Sequence, residues 1–258
     1  MYTKTYKSAA IWGKHKVVRY LSADAELKPL VPETLTLTAD HLRTMSERFA
    51  ALYIKPDIGS HGIGIHKLER TEEGYTLYSV HAKRQKQLKF AALDEAYRSI
   101  HRRKCGMIIQ EAVAIDRIDE QPYDIRAMVQ RKPGGSWTCT GYMVKVGQKQ
   151  RIVTNFYQGG QIWTLNQLWT AKACAEEQSL ELSGQLQETA LRIARRLSSQ
   201  KNGMREMGID FAFDQEGKLW VLEVNSNHPQ FHPLKKLDPA AYARMLAFAR
   251  AYGRKTAK

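Results

Sequence analysis

Apolar positions recur along this chain in two rhythms, one of period about 3.6 and one of period 2. Behind Thr38, a side chain suited to cap a helix, Leu42, Met45 and Phe49 share one stripe and predict a helix over about 39–50. Ala51 to Lys55 reads as a buried strand stopped by Pro56, and Asp57-Ile-Gly-Ser-His-Gly-Ile-Gly64 reads as the loop after it. Tyr75–Val80 predicts a second strand behind the turn at Glu73-Gly74. A helix over about 90–103 turns Leu93, Tyr97 and Ile100 inward and carries Arg102, Arg103 and Lys104 in its last turn, where positive charge suits the helix dipole. Met107–Gln110 is a short apolar strand, and Ile125–Gln130 with Trp137–Lys145 predicts a hairpin around Lys132-Pro-Gly-Gly135. A polar helix over about 176–201 buries Leu186, Ala190, Ile193 and Leu197, and Asp238-Pro239 starts a final helix that stops near Gly253. Residues 1–34 read as a short basic lead-in. With helices and strands mixed, hairpins prominent and no internal repeat, the expected class is α+β with antiparallel sheets.

The segment Gly208-Ile-Asp-Phe-Ala-Phe-Asp-Gln-Glu-Gly-Lys-Leu-Trp-Val-Leu-Glu-Val-Asn225 holds the strongest chemical signal. A two-residue turn at Glu216-Gly217, with Gln215 facing Lys218, sets Phe213 against Trp220, Phe211 against Leu222 and Ile209 against Val224, so that one face is wholly apolar. The same register sets Asp210 opposite Glu223 on the other face, with Asn225 next along, opposite Gly208. A slip of one residue would destroy the apolar face. Two carboxylates about 4.5–5.5 Å apart at Cβ repel, and need a shared proton or a cation between them. Oxygen donors from Asp, Glu and Asn suit Mg²⁺; an ion pair with neighbouring Lys or Arg is the simpler alternative.

The second signal is Lys55 at the end of an apolar strand, followed by Gly59, Ser60, Gly62 and Gly64. Small residues let backbone N–H groups approach an anion, and the lysine adds a positive charge. No Gly-Lys-Ser/Thr follows, so this is not a Walker A loop, and no helix with a suitable acid follows, so it is not a dinucleotide fingerprint. On its own it also fits an ordinary hairpin loop. A phosphate cradle early and a divalent-metal hairpin late make sense together as a Mg-nucleotide site.

Composition narrows the class without choosing a partner. Among 258 residues, 40 Lys+Arg oppose 26 Asp+Glu for a net charge of +14, and 43% hydrophobic residues with 9% aromatics suffice for a packed core, which argues against disorder. No stretch approaches the roughly 18 consecutive apolar residues of a membrane span, and the N-terminus leads into no apolar segment of a secretory signal. Cys105, Cys139 and Cys174 are far apart and form no CxxC pair, which excludes a thiolate zinc site and suggests a reducing interior. The positive excess admits nucleic acid, a membrane surface or an anionic ligand and selects none of them. The basic residues are spread through 83–89, 98–104 and 192–196 with no stacking motif, so nucleic acid is not favoured. His228 and His232, set among prolines, read as loop residues, and His61 as a phosphate neighbour or a solvated side chain.

Taken in order, Tyr53-Ile-Lys-Pro-Asp-Ile-Gly-Ser-His-Gly-Ile-Gly64, Ile108-Ile-Gln-Glu-Ala-Val113, Tyr123-Asp-Ile-Arg126, Thr154-Asn155 with Gly159-Gly160, and Gly208-Ile-Asp with Leu222-Glu-Val-Asn225 resemble the ATP-grasp superfamily. Within it, the chain looks most like the endospore-coat-associated YheC/YheD-type proteins. The resemblance implies two α+β lobes clasping ATP, a domain over 35–240 (a nucleotide-covering lobe over about 35–112 and a metal-binding lobe over about 113–240), a C-terminal helix and basic tail over 241–258, and a pre-ATP-grasp domain largely absent. It assigns Lys14, with Lys16 as competitor, and Lys55 to the nucleotide phosphates under the glycine loop. Gln110, Glu111, Ala112 and Val113 would read the adenine edge, and Asp116 the ribose. Asp210, Glu223 and Asn225 would hold Mg²⁺, and Arg126 and Asn155, with Lys145 or Arg151, would line the place where γ-phosphate meets acceptor. The implied activity is ATP-dependent ligation of a carboxylate to an amine or other nucleophile through an acylphosphate, on a peptide-like or other carboxylate substrate, in a cytoplasmic protein associated with the spore coat. A phosphotransferase on the same fold and a non-catalytic coat protein are the rivals. Two departures stand out: Gly208 lies where such ligases often carry arginine near the metal aspartate, and Lys145 lies where arginine is usual, although lysine is the poorer bidentate binder.

Overall fold

Alternation and turn chemistry produce twelve strands and seven helices in the computed structural model, which describes residues 4–59, 62–81, 84–100, 106–154 and 156–258. In chain order they are α1 (Lys14–Ser22), β1 (Thr34–Thr36), α2 (Ala39–Arg48), β2 (Ala51–Pro56), β3 (His66–Thr71), β4 (Gly74–His81), β5 (Arg84–Phe90), α3 (Leu93–Ser99), β6 (Met107–Glu111), β7 (Arg117–Ile118), β8 (Gln121–Gln130), β9 (Thr138–Val146), β10 (Gln161–Trp163), α4 (Leu165–Ala171), α5 (Glu176–Gln200), β11 (Glu206–Phe213), β12 (Leu219–Asn225), α6 (Leu234–Leu237) and α7 (Pro239–Ala251). The first sheet runs β1-β6-β2-β3-β4-β5 and the second β10-β9-β8-β11-β12, with β7 beside β8. Every strand pair is antiparallel, as the hairpin-rich pattern implied.

Three apolar clusters fill the spaces around these sheets. Leu52, Ile54, Leu68 and Leu77 of the first sheet pack on α2 and α3. Ile125, Val144, Ile209 and Phe211 of the second sheet pack on the α5 stripe Leu186, Ala190, Ile193 and Leu197, a spacing that repeats on one helix face. Each Leu or Ile so buried contributes about 1.5–3 kcal/mol. The opposite face of the second sheet is covered over part of its length by α6 and α7, through Met128, Met143, Leu234, Met245 and Ala249.

Several boundaries and one register differ from the sequence reading. The segment ahead of residue 34 contains α1, whose Val17 and Leu21 enter the core beside α5. The strand at Tyr75–Val80 is preceded by β3, which its polar residues Lys67, Glu69 and Arg70 concealed, and is followed by the exposed edge strand β5. The helix expected over 90–103 ends at Ser99, and its basic last turn lies outside the described residues. In the final hairpin Ile209 faces Val224 and Asp210 faces Glu223 as anticipated, but a bulge follows: Phe211 faces Val221, Ala212 faces Trp220 and Phe213 faces Leu219. The two-residue turn is replaced by a loop closed by Asp214 N–H donating to the Lys218 carbonyl at 3.0 Å, with the Asp214 carboxylate accepting from the Trp220 indole at 2.7 Å. The bulge at Leu222 re-phases the alternation, so Leu219, Val221 and Val224 are all buried while Leu222 and Trp220 are only half-buried.

Both ends of the described chain converge on one buried acid. Glu206 accepts from the Arg254 guanidinium at 2.6 Å, the Tyr252 hydroxyl at 2.9 Å and the Tyr6 hydroxyl at 2.5 Å, and pairs with Lys4 at 3.5 Å. This network holds the segments before α1 and after α7 beneath the loop that follows β12, where Lys4 also donates to the Ser226 carbonyl at 2.7 Å.

Candidate functional site

Strand alternation loads the uncovered part of the second sheet with charge. Arg126 on β8 lies opposite Asp210 on β11, which lies opposite Glu223 on β12, and Asp124 on β8 lies opposite Lys145 on β9. All five are on the face away from the α5 core, because each stands directly next to a residue that enters it: Ile125, Val144, Ile209 or Val224. The Arg126 guanidinium donates to both Asp210 oxygens at 2.7 Å each. Lys145 reaches Asp124 at 2.6 Å and Asp210 at 3.1 Å, and Thr154 donates its hydroxyl to Asp124. Burial pushes the Asp210 carboxyl up, but Arg126 and Lys145 outweigh it and hold the group down to about 2. Asp124, for which burial outweighs the pull of Lys145, titrates above the usual carboxylate range.

Gly208 explains one departure from the expected pattern. A Cβ there would stand 2.9 Å from Pro229 Cβ and 3.3 Å from Arg126 Cδ. The space is filled by the arm of Arg126, so an arginine arrives at the aspartate from the neighbouring strand.

The first sheet and α1 supply the opposing wall. Lys55, half-buried at the end of β2, donates to the Gln110 side-chain oxygen at 2.7 Å, and Gln110 donates onward to Thr34 at 2.7 Å. Burial lowers Lys55 to about 8; Glu223 pulls it back up and Lys14 pushes it further down. Lys14 is the first residue of α1, donates to the Gly59 carbonyl at 3.2 Å and pairs with Glu223 at 3.3 Å. Its position is set by Asp57: the Lys14 N–H donates to the Asp57 carbonyl at 3.0 Å, and the Asp57 side chain accepts from His15 N–H at 2.8 Å. Gly13, with φ at 90°, fits this close approach because a Cβ would lie 2.7 Å from Asp57 Oδ2.

Between these walls lies a cavity of about 470 Å³, lined by Lys14, Lys55, Gly59, Gly62, Arg126, Asp210, Glu223 and Asn225 among others. Two segments far apart in sequence, the lysine and glycine loop and the last hairpin, thus line one cavity. Lys16, the competitor of Lys14, is exposed, with its ammonium 5.9 Å from the Tyr20 ring. Gly64 and Lys145 lie outside the lining, Lys145 being held behind Asp210. Gln110, Glu111, Ala112 and Val113 also lie outside it, and the N–H groups of Glu111 and Ala112 donate to the Glu33 and Ala51 carbonyls at 2.9 and 3.1 Å. Asp116 accepts from Tyr123 at 2.9 Å and pairs with Lys172 at 2.5 Å. Arg151 belongs to a separate basic groove with Arg84, Lys86 and Lys149. Ser60, His61, Asn155 and Cys105 are outside the described residues. Asp124 is a further charged residue of this face that no motif singles out; its place two positions before Arg126 on β8 is the signal that puts both on one strand face.

Asp210, Glu223 and Asn225 line one cavity wall, and their residue types are a hard oxygen donor set that fits Mg²⁺. Part of the carboxylate charge is already balanced by Arg126, Lys145 and Lys14, the ion-pair alternative that the sequence left open. Glu223, whose side chain is 28% exposed, is the more accessible of the two acids.

The family described as "YheC/D like ATP-grasp" matches residues 3–252. Two curated proteins of Bacillus subtilis (strain 168) are similar: endospore coat-associated protein YheD, 29% identical over 88% of this chain and 51% of its own length, and endospore coat-associated protein YheC, 21% identical over 83% and 59%. The chain thus spans between half and three-fifths of the curated relatives it matches. Among solved structures, the C-terminal domain of K. lactis Pby1, an ATP-grasp enzyme interacting with the mRNA decapping enzyme Dcp2, superposes with a TM-score of 0.51 at 12% identity, covering 91% of this chain and 69% of that one. The ATP-grasp ligase PsnB complexed with minimal precursor gives a TM-score of 0.51 at 15% identity, covering 93% and 61%. The fold is therefore that of ATP-grasp proteins, and no helix among the described residues is long and apolar enough to cross a membrane.

Proposed function

The chain belongs to the YheC/D-like ATP-grasp family, and on that premise we propose that it is a Mg-ATP-dependent ligase that joins a carboxylate to an amine or another nucleophile. The observation that carries this reading is the cavity itself, in which Lys14 and Lys55 face Arg126, Asp210, Glu223 and Asn225 across a gap of ligand size. Lys14 and Lys55 bind phosphate oxygens from the side of the glycine loop. Asp210, Glu223 and Asn225 would hold magnesium, which when bound would supply neutralisation of phosphate charge. Arg126, kept cationic and oriented by Asp210, stabilises charge on the transferring phosphoryl group. The substrate carboxylate attacks the γ-phosphorus, ADP leaves, and the nucleophile then displaces phosphate from the acylphosphate. Positioning and charge compensation carry most of such a transfer, and these residues supply both. By the family resemblance Gln110 to Val113 and Asp116 would serve the adenosine end and Asn155 the acceptor side, while Lys145 acts from behind Asp210, which it holds at 3.1 Å. By its likeness to proteins named as endospore coat-associated, we place the protein's work inside the cell, with the spore coat as its destination.

The deciding experiment is ADP release against a panel of amino acids and peptides, with mass spectrometry of the products. A ligated product that requires ATP, and disappears in Glu223→Gln, supports the reading. Phosphorylated acceptor as sole product would replace ligation by phosphotransfer, and failure to bind ATP at millimolar concentration would overturn both.

A further inference from the structure

Apart from the cavity, a second concave surface runs along the outer edge of the first sheet. It is lined by Arg84, Gln85 and Lys86 of β5 and by Lys149, Gln150 and Arg151 of the loop after β9. Four of these six residues are cationic. Lys149 pairs with Glu120 at 3.0 Å, whereas Arg84, Lys86 and Arg151 have no carboxylate partner among the described residues. The walls are tied together by Gln85, which donates to the Gln150 carbonyl at 2.9 Å and accepts from Ile152 N–H at 3.1 Å. Tyr53 adds a third tie, donating to the Ile152 carbonyl at 2.8 Å.

β5 pairs with β4 on one side and forms the free edge of its sheet. Its outward N–H and C=O groups can accept another strand. Lysines on such an edge also discourage self-pairing, but that purpose needs charge on the strand alone. Here a loop from the other sheet brings a second bank of cations to the same edge, latched by Gln85. Alternation sends Arg84 and Lys86 to one face of β5, while Gln85 and the loop with Lys149 and Arg151 lie toward the other. A strand laid along this edge would meet cations on both of its faces.

We propose that this groove binds an extended, acid-rich peptide segment that adds to β5 as an antiparallel or parallel seventh strand. Main-chain hydrogen bonds supply the attachment, and Arg84, Lys86, Lys149 and Arg151 select for Glu and Asp. A single-stranded nucleic acid is disfavoured because the described residues that line the groove include no aromatic side chain on which bases could stack. The loop that supplies Arg151 continues to Thr154, which donates to Asp124 beside the Arg126–Asp210 pair.

The test is fluorescence anisotropy with the full chain and three labelled probes. They are a ten-residue peptide of Glu and Asp interspersed with Thr and Val, a second peptide of equal charge with prolines at alternate positions, and a ten-nucleotide single-stranded DNA. The proposal expects the first peptide to bind, the proline peptide to bind at least tenfold more weakly, and DNA to bind no better than the proline peptide. Arg84→Glu with Lys86→Glu, both exposed and distant from the core, should weaken the first peptide by about tenfold or more, since each lost or reversed exposed ion pair changes affinity by a few-fold. The same pair of reversals placed at Lys235 and Lys236 should leave binding unchanged. Equal binding of the two peptides overturns strand addition, preferential binding of DNA makes the groove a nucleic-acid surface, and no binding by any probe leaves the charges as edge protection alone. ATP binding in the cavity is measured separately, so the result does not depend on the ligase reading.

Discussion

Asp210→Asn and Glu223→Gln separate what the charge ladder does for folding from what it does for chemistry. Asp210 is 5% exposed and is held by Arg126 at 2.7 Å and by Lys145 at 3.1 Å. The amide keeps the shape but leaves two buried cations without their shared anion, and Asn must turn an N–H₂ group toward one of them. Breaking a buried pair of this kind costs about 3 kcal/mol. For a chain of this length the melting temperature should fall by about 6–12 °C. Glu223, 28% exposed and paired with Lys14 at 3.3 Å, is screened by solvent, so its amide should cost about 1 kcal/mol or less. Both variants should lose ADP release by about a hundredfold or more, the scale on which removal of one preorganised charge-stabilising group acts. Thermal unfolding by circular dichroism, run beside a coupled ADP assay, reads both quantities on the same samples. A melting temperature for Asp210→Asn within about 2 °C of the parent would refute the account of a buried charge triad. Undiminished turnover in Glu223→Gln would refute its role at the phosphates.

Two further outcomes follow from the opposite wall. Lys55 titrates near 8 in the folded chain against an ordinary 10.5, so above pH 8 the folded state has released a proton that the unfolded chain still holds. Stability from this group should therefore rise with pH between those values while nucleotide affinity falls through pH 8, and Lys55→Met should flatten both curves in urea unfolding and nucleotide titration. Gly13→Ala would force an L-residue to φ of 90° and bring its Cβ within 2.7 Å of Asp57, at a cost of about 1–2 kcal/mol and with Lys14 displaced from the cavity. Unchanged unfolding and unchanged ATP affinity in that variant would show that the Asp57 cap does not position Lys14.

Local pattern was enough to identify the pieces of this site. Period-2 alternation around one turn set Asp210 against Glu223, and that pairing survives because the bulge at Leu222 offsets the one-residue difference at the turn, where Phe213 faces Leu219. The α5 stripe was equally plain, since a 25-residue helix repeats its apolar spacing many times. A small helix such as α1, with two fully buried side chains in nine residues, carries too little pattern to stand out.

The identity of the neighbours came from tertiary structure alone. Strand order β9-β8-β11-β12 is what brings Lys145, Asp124 and Arg126 beside Asp210, and residues 65 to 86 positions apart leave no local signal of such a meeting. The same holds for Asp57 capping α1 across 42 residues and for Glu206 gathering Lys4 and Arg254. Alternation is written into adjacent residues because a strand must present one face to the core; compensation of a buried charge is settled only when distant strands pair and exclude water, and that choice belongs to the folded sheet as a whole.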